Sequence, residues 1–325
     1  MGLRKARRWI DTVGRDILAR APQFMAPRRK SDAAPTSLAV AAIFKNEAPY
    51  ILEWVAWHRC LGANAFFIAD NESTDGTTEI LAALAKAGIV EHVLFPGTPG
   101  QPPQLPAYRM LMDRFRSRAQ WISLIDADEF LLPATGTDGL PLPLVPWLQS
   151  LPDKVGAVLV NWAIYGSSGE KTFRPGLVTE RFSMRAQKEH GANQHVKSIV
   201  RTADYRSARY NPHIFVIDPW RMLVSSDGKQ TASSTTREGV IGSAVWGHVR
   251  LNHYVIKSAE EFWARKVARG RPDTYEAQHQ RNQSFFDDHD ANDVSDPPPA
   301  AFLAQVRAEM ARLAALIGPE APEPT

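Results

Sequence analysis

Hydrophobic and polar positions form alternating strand-length and helix-length segments over residues 38–125. A short apolar run at 38–44 predicts a strand, and the segment 50–61, which follows Pro49 and precedes Gly62, predicts a helix. The alternation continues with predicted strands at 65–69, 89–95 and 121–125 and predicted helices at 77–86 and 105–118. Strands that alternate with helices at this spacing are joined by crossover connections. The pattern therefore predicts an α/β fold with a mainly parallel central sheet and helices on both faces.

The second half of the chain has a less regular pattern. Predicted strands at 155–162 and 197–201 precede a predicted helix at 259–269, a polar linker at 287–299 and a helix at 300–317. The last helix is expected either to dock on the core or to contact a partner. We expect three parts: an N-terminal tail and linker at 1–36, a main domain at 37–286 with halves 37–133 and 134–286, and a linker with a C-terminal helix at 287–325.

The formal net charge of +3 is unevenly distributed. Residues 1–30 carry nine basic and two acidic residues, a balance of +7, which leaves 29 basic and 33 acidic residues, a balance of −4, for the rest. A protein that reads duplex nucleic acid needs its basic surface on the folded domain, so nucleic acid is not an expected partner. Cys60 is the single cysteine and has no intrachain disulfide partner, which favours a reducing, cytosolic setting.

The basic tail has an amphipathic pattern. Apolar residues recur at three- and four-residue steps, at Leu3, Ala6, Ile10, Val13, Ile17 and Ala21. Two interpretations stay open: a helix that lies on an anionic membrane surface, or a helix packed on the protein's own body or a poorly ordered leader. Charged residues interrupt any signal-peptide core, and no later run approaches the roughly 18–20 uncharged residues of a membrane span. We expect a cytoplasmic protein, with peripheral attachment to the inner face of the cell membrane as the open alternative.

Polar segments follow three of the predicted strands, at the ends where open parallel sheets bind ligands. They are Lys45-Asn46-Glu47 after the first strand, Asp70 to Gly76 after the second, and Asp126-Ala127-Asp128-Glu129 after the fourth. We expect all three segments to converge at one edge of the sheet.

Asp126 and Asp128 flank one residue at the end of an apolar strand. Their carboxylates suit one hard divalent ion, Mg²⁺ or Mn²⁺, which also takes oxygens from a diphosphate and neutralises charge on a departing diphosphate. A D-x-D triplet alone is a weak signal, because a surface acidic turn is its commoner cause, but its position after Trp-Ile-Ser-Leu-Ile favours the metal site. In the second segment, Asp70 suits a base N–H or a ribose hydroxyl, whereas Asp75 equally suits a helix N-cap.

Residues 42–54, 69–77 and 126–130 together resemble the family 2-like glycosyltransferases of the GT-A fold. Glu53-Trp54 and Trp57-His58 make the resemblance closest to the family 92 type, and it spans about residues 38–270. It implies transfer of a sugar from a UDP-linked donor to an acceptor hydroxyl with inversion, by a hexosyltransferase-like enzyme of surface or extracellular glycan synthesis. The acceptor is then a glycan or a lipid-linked glycan, with the donor bound by 37–133 and the acceptor by 134–286.

The resemblance also implies roles for individual positions. Asp126 and Asp128 match the metal and diphosphate motif, Asp70 matches the carboxylate near the nucleoside, and Glu47 matches an acidic position of the nucleotide pocket. GT-A enzymes often complete the metal shell with a late histidine, for which His253 is our choice and His248 the alternative. The predicted nucleotide-sugar site is completed by Lys45, Asp75, Lys197 and Lys257.

An inverting transfer needs a general base that takes the acceptor proton. Family 2 enzymes usually place this base in an acidic pair downstream of the D-x-D triplet, and the chain has no clear copy of it. Glu170, Glu180, Glu189 and His190 are therefore unranked candidates for the base.

Two other functions stay open. A sugar nucleotidyltransferase also uses a parallel sheet and acidic metal ligands, but it normally has a Gly-rich phosphate loop after the first strand, where this chain has residues 45–49, Lys-Asn-Glu-Ala-Pro. A non-catalytic glycan-binding protein of the same fold is expected to have lost its acidic ligands, yet Asp70, Asp126 and Asp128 are all present.

Overall fold

The structure is a computed structural model that describes residues 35–231, 239–268, 270–274 and 281–318. The predicted tail helix within residues 1–30 lies outside these ranges. The described strands are β1 (Thr36–Phe44), β2 (Ala65–Asp70), β3 (Glu91–Leu94), β4 (Ala119–Leu124), β5 (Glu129–Pro133), β6 (Val155–Ile164), β7 (Met184–Arg185), β8 (Val196–Arg201), β9 (Tyr205–Ser207), β10 (Val216–Ile217), β11 (Met222–Ser225), β12 (Val249–His253) and β13 (Val294–Ser295). The described α-helices are α1 (Ile51–Cys60), α2 (Thr77–Lys86), α3 (Gln104–Phe115), α4 (Leu144–Ser150), α5 (Val178–Arg181), α6 (Ala259–Glu261), α7 (Gln283–His289) and α8 (Ala300–Ile317).

The central sheet has the strand order β3-β2-β1-β4-β8-β6-β12-β5, and β11 pairs with β6. Strands β3, β2, β1 and β4 are parallel to one another, as are β6, β11 and β12. Strand β8 is antiparallel to both β4 and β6, and β5 is antiparallel to β12. This arrangement confirms the predicted α/β fold with a mostly parallel sheet.

Strand β1 is buried on both faces of the sheet. Val40 and Ala42 belong to the core cluster that packs with α1, α2 and α8, whereas Ala39 and Ala41 belong to the cluster that packs with α3. A strand covered on both faces has a nearly continuous apolar sequence rather than an alternating one. This explains the apolar run at 38–44 and confirms that helices cover both faces.

Two predicted segments differ from the structure. The predicted helix at 259–269 is the short helix α6 followed by a π-helical turn at Phe262–Val267. The predicted linker at 287–299 begins within α7 and contains β13, which pairs with β7. The Asp290 carboxylate also accepts a hydrogen bond from the backbone N–H of Ser167, at 2.7 Å. Strand pairing and side-chain hydrogen bonds therefore hold this segment against the domain. The polar composition from which a linker was predicted contains no information about these contacts.

The last helix, α8, docks on the domain. The Phe302 ring packs edge-on against the Trp57 ring of α1 at 4.7 Å between centroids, and Arg59 of α1 forms an ion pair with Glu309. Val306 is fully buried in the same interface. Of the two interpretations of the 300–317 pattern, the structure shows the helix docked on the core. Across the described residues, no helix is both long enough and apolar enough to cross a bilayer.

Strand register brings the predicted segments together. Phe44, the last residue of β1, lies opposite Asp70 of β2, and Ala41 lies opposite Leu124 at the end of β4. Strand β5, which the sequence did not predict, pairs with β12 so that His253 lies opposite Glu129. The segments after β1, β2 and β4 and the end of β12 therefore meet at one edge of the sheet.

Candidate active site

A cavity of about 340 Å³ lies at this edge, beyond the carboxyl ends of the parallel strands. Its size is within the range of small-molecule sites, and its position is the one at which open α/β sheets bind ligands. The predicted site residues that line it are Lys45, Glu47, Asp126, Asp128, Lys197 and His253.

Asp126 is held by three side-chain donors. Its Oδ1 accepts hydrogen bonds from Gln104 Nε2 at 2.6 Å and from Tyr108 Oη at 2.8 Å, and its Oδ2 lies 3.0 Å from Lys197 Nζ. Burial would raise the pKa of Asp126, but the Lys197 ammonium group lowers it below its ordinary value. Gln104 and Tyr108 were not predicted as site residues. Their one signal in the sequence is the spacing of four, which places two polar groups on the same face of α3.

Asp128 has a different set of partners. Its Oδ2 pairs with Nζ of Lys266, in the π-helical turn, and its Oδ1 lies 3.6 Å from Nε2 of His253. Burial would raise the pKa of Asp128, but Lys266 and His253 hold it well below its ordinary range. Burial lowers the pKa of His253 although Asp128 opposes this effect, so the imidazole is neutral at pH 7. Asp128 and His253 thus present a carboxylate and an imidazole at one point of the cavity wall.

This donor set fits a divalent ion that also binds substrate. Among the residues that the structure describes, no three His, Cys, Asp or Glu side chains are close enough to hold a metal on their own. Mg²⁺ and similar ions commonly take one or two protein carboxylates and complete their shell with substrate phosphates and water, and neutral imidazole suits Mn²⁺. Asp128 Oδ1 and His253 meet that requirement, whereas Asp128 Oδ2 and both oxygens of Asp126 already accept hydrogen bonds from the protein.

Glu129 lies beneath the carboxylate pair. Its Oε2 accepts the backbone N–H of Asp126 at 2.8 Å and lies 3.8 Å from Nζ of Lys197. Burial raises the pKa of Glu129 well above its ordinary value, although Lys197 opposes this. Lys197 is 1% exposed, and burial would lower its pKa, but Asp126 and Glu129 keep it above its ordinary value. The Lys197 ammonium group is therefore the buried counter-ion of this acidic group.

Asp70, the last residue of β2, was predicted to bind the nucleotide but lies outside the described cavity wall. The next residue, Asn71, lines the cavity. Asp70 is buried, and its carboxylate accepts hydrogen bonds from the Thr78 hydroxyl at 2.6 Å and the Ser73 backbone N–H at 3.2 Å, with His92 at 3.4 Å. Burial would raise its pKa, but the hydrogen bonds from His92, Ser73 and Thr78 lower the pKa of Asp70 to about 2. Its contacts order the turn between β2 and α2.

We expect Asp70→Asn to lower the free energy of unfolding by about 1–3 kcal/mol at pH 7, because one oxygen of the buried carboxylate becomes an amide NH2 group that cannot accept hydrogen bonds. The lowered pKa means that ionised Asp70 stabilises the fold above pH 3.8 and loses this effect as the pH falls towards about 2. Urea denaturation from pH 7 to pH 3 should therefore show less acid sensitivity in the variant. Isothermal titration with UDP should give a dissociation constant within about threefold of the wild type. A loss of UDP affinity with unchanged stability would instead support the predicted nucleotide-binding role.

Asp75 and Lys257 also lie outside the described wall of this cavity. The Asp75 carboxylate accepts hydrogen bonds from the Thr77 N–H at 3.1 Å and hydroxyl at 2.7 Å, at the start of α2. Lys257 has Nζ 4.3 Å from the centroid of the Tyr50 ring and lines a separate, smaller cavity. The N-cap of α2 is Gly76, so the prediction of Asp75 as the N-cap was wrong by one residue, although its carboxylate contacts the first residue of the helix.

None of the four candidate bases belongs to the described cavity wall. Glu170 pairs with Arg174 on the surface, and Glu180 takes part in another exposed ion pair. Glu189 is exposed, and His190 caps a 3-10 turn. These residues were candidates because they follow the D-x-D triplet along the chain, and sequence order alone does not determine which side chains face the cavity.

A group of aromatic side chains completes the wall. Trp162, near the end of β6, has three histidine rings around it: His253 at 4.3 Å, His195 at 4.7 Å and His213 at 5.5 Å between ring centroids. All four residues line the cavity. His195 was not predicted. Its signal is its position two residues before Lys197, because extended chain places alternate side chains on the same face.

The chain belongs to glycosyltransferase family 92. The model of that family matches residues 35–218, which is more than half of the chain and includes the ends of β1, β2 and β4 at the cavity. This confirms the family 92 part of the resemblance.

Curated relatives carry the same family name. The chain is 27% identical over 276 residues to a glycosyltransferase family 92 protein of Arabidopsis thaliana, covering 79% of this chain and 41% of the relative. It is 29% identical over 167 residues to a family 92 protein of Oryza sativa subsp. japonica, covering 51% of this chain and 27% of the relative. The chain thus spans less than half the length of these relatives.

Solved structures show weaker likeness. The crystal structure of S. aureus TarS 1-349 has a TM-score of 0.33 and 13% identity, over 52% of this chain and 48% of that chain. A putative glucose-1-phosphate thymidylyltransferase from Bacillus anthracis has a TM-score of 0.28 and 8% identity, over 53% of this chain and 68% of that chain. Likeness at this level carries no argument about function.

Proposed function

We propose that this protein transfers a sugar from a UDP-linked donor to an acceptor hydroxyl with inversion, on a GT-A type of fold. The observation that carries the proposal is the pair Asp126 and Asp128 in a strand-end cavity that is also lined by Lys45, Lys197 and Lys266. Lysine side chains can neutralise a nucleoside diphosphate, and carboxylates can bind its divalent ion. A cavity wall that carries both kinds of charge therefore suits both ligands. Membership of glycosyltransferase family 92 supports the same reaction class.

Side chains of the protein orient Asp126 before the donor binds. Gln104, Tyr108 and Lys197 fix Asp126 in one orientation, so this carboxylate does not have to reorganise when the donor binds. Preorganised charges of this kind are the largest contribution to catalysis in many enzymes. Lys45 and Lys266 border the same cavity and are placed to stabilise the negative charge that develops on the leaving diphosphate.

We propose that Asp128 and His253 hold Mn²⁺ or Mg²⁺ in the loaded enzyme. The bound ion would act as a Lewis acid that neutralises charge on the leaving group. Lys266, which pairs with Asp128, keeps this buried carboxylate ionised and hydrogen-bonded in the absence of donor. Its ammonium group then lies beside the site of the diphosphate.

For the acceptor we propose a glycan or lipid-linked glycan, bound by residues 134–286 in surface or extracellular glycan synthesis. The balance of +7 in residues 1–30 supports a peripheral position on the anionic inner face of the cell membrane. Binding to phosphatidylglycerol vesicles tests this part of the proposal. Equal binding by the chain with and without residues 1–30 would contradict the peripheral position.

The proposal predicts that UDP and Mn²⁺ together raise the melting temperature more than either does alone. A ligand at 100 times its dissociation constant contributes about 2.7 kcal/mol of stability through linkage, which a thermal melt detects readily. The measurement is a melt with UDP, with Mn²⁺, with both, and with ATP and Mn²⁺ as the matched nucleotide control.

Other outcomes of this melt would favour other functions. Stabilisation by a nucleoside triphosphate but not by UDP, with pyrophosphate released in the presence of a sugar phosphate, would favour a sugar nucleotidyltransferase. Glycan binding without stabilisation by any nucleotide would favour a non-catalytic protein.

A further inference from the structure

We propose that His195 is the general base of the transfer reaction, an inference that rests on the proposed function. His195 lines the same cavity as Asp126 and Asp128, and its side chain is half-buried. A general base has to reach the acceptor hydroxyl directly or through one water, so it has to lie in the wall of the reaction cavity. His195 meets this requirement, and Glu170, Glu189 and His190 do not.

The hydrogen bond of the imidazole selects its tautomer. Nδ1 of His195 lies 3.1 Å from the carbonyl oxygen of Ala192. A carbonyl oxygen only accepts hydrogen bonds, so Nδ1 carries the proton and Nε2 of the neutral ring carries the lone pair. Burial lowers the pKa of His195 below its ordinary value of 6.5; the hydrogen bond to Ala192 opposes this effect, and the positive charges of Lys197 and Arg271 reinforce it. The ring is therefore neutral, with a basic Nε2, at pH 7.

The ring is also held rigidly. It stacks on Trp162 at 4.7 Å between centroids and 18° between planes. The backbone N–H of Trp162 donates a hydrogen bond to the carbonyl of His195 at 2.9 Å, and His195 forms a β-bridge with Val240. A base whose backbone and ring are both fixed is preorganised for proton transfer.

His195 lies near the proposed metal site. The rings of His253, beside Asp128, and His195 lie 4.3 Å and 4.7 Å from the Trp162 centroid, which sets an upper limit of 9.0 Å between their centres. An inverting displacement needs the leaving diphosphate and the attacking hydroxyl on opposite sides of the anomeric carbon. In the proposed arrangement the diphosphate lies near Asp128 and the acceptor near His195, and the upper limit keeps both within reach of one such carbon.

The other histidine and aspartate side chains of the described wall are less suited to the role. Burial lowers the pKa of His213 to about 3 and that of His289 to about 4, which makes both weak bases at neutral pH. The Asp273 carboxylate accepts hydrogen bonds from the guanidinium group of Arg271 at 3.0 and 2.7 Å, and its pKa is lowered by that group against the effect of burial. His253 is turned towards Asp128.

In the proposed step, the acceptor oxygen forms a bond to the anomeric carbon while its proton passes to Nε2 of His195. The bond between the anomeric carbon and the phosphate oxygen breaks, and its electron pair leaves with the nucleoside diphosphate. The resulting imidazolium then returns its proton to solvent, which restores the neutral base.

The test uses the 325-residue chain, with water as the acceptor, and measures UDP release from UDP-glucose, UDP-galactose and UDP-N-acetylglucosamine. We expect His195→Ala to lower the turnover number on the order of 10²- to 10⁴-fold, the usual contribution of a general base, while UDP affinity stays within about threefold. Added imidazole should restore part of the activity. The wild-type rate should fall as the pH drops through a value below 6.5, and this fall should be absent from the variant.

The control is Trp220→Ala. Trp220 is an exposed aromatic side chain that lies outside the described cavity wall. It should retain turnover within about twofold. Thermal melts of both variants report whether they are folded.

Two results would overturn the proposal. If the wild type releases UDP and His195→Ala does so equally fast with the same pH profile, His195 is not the base although the proposed function stands. If the wild type releases no UDP from any of these donors with Mn²⁺ or Mg²⁺, the proposed function fails, and the assignment of the base fails with it.

Discussion

Asp128→Asn is expected to lower the rate of UDP release from the donor on the order of 10²- to 10³-fold. The substitution keeps the shape of the side chain but removes the charge that Lys266 pairs with and that the proposed metal site requires. Lewis-acid stabilisation of the leaving group is worth several kcal/mol, and each 1.36 kcal/mol corresponds to a factor of about ten in rate. The measurement is the turnover number over a series of Mn²⁺ concentrations.

The matched control for this variant is Asp218→Asn. Asp218 pairs with Arg206 on the surface, in a turn outside the described cavity wall, so its loss should change the rate less than twofold. The stabilisation by UDP with Mn²⁺ should also disappear in Asp128→Asn and persist in Asp218→Asn. Equal stabilisation of both variants would contradict the assignment of Asp128 to the metal.

Lys197→Met is expected to have the largest effect on stability. Nζ of Lys197 is buried 3.0 Å from Asp126 and 3.8 Å from Glu129, so the substitution leaves buried carboxyl groups without their counter-ion. Breaking a buried pair in this way commonly costs about 3–5 kcal/mol. The pKa of Asp126 is lowered by Lys197, so without it the carboxylate takes up a proton more readily and the loss of stability becomes smaller as the pH falls. Urea denaturation at pH 7 and pH 4.5 measures both effects.

Lys229→Met is the matched control, since Lys229 forms an exposed pair with Asp227 at 3.4 Å. Exposed pairs contribute little, so the expected change is within about 0.5 kcal/mol. A loss below about 1 kcal/mol in Lys197→Met would contradict the description of the acidic group as a buried network that depends on one ammonium group.

The sheet was predictable because burial on both faces leaves a clear pattern. The apolar runs that became β1, β2 and β4 and the helices between them were recognisable, and so was α8, whose apolar spacing reflects docking on α1. Strand β5 was missed because its five residues directly follow the carboxylate pair and pair with β12, more than a hundred residues later. Local periodicity contains no information about such pairing.

The site was partly predictable for the same reason. Asp126, Asp128 and Glu47 lie at strand ends, where topology alone directs side chains to the cavity. Asp70 also ends a strand, yet the turn that follows takes up its carboxylate and leaves Asn71 in the wall. His195 reaches the cavity through a 3-10 turn and a β-bridge, which a one-dimensional pattern does not reveal. The metal and the donor assigned to this site stay predictions.

A screen of nucleotide-sugars for metal-dependent hydrolysis by the 325-residue chain tests whether the protein is a glycosyltransferase with a metal at Asp128. Slow attack by water reveals the donor without knowledge of the acceptor. We predict UDP release from at least one UDP-linked sugar with Mn²⁺ or Mg²⁺, lost on chelation with EDTA and reduced at least a hundredfold in Asp128→Asn. Turnover of no nucleotide-sugar, or turnover that is the same in Asp128→Asn, would contradict it.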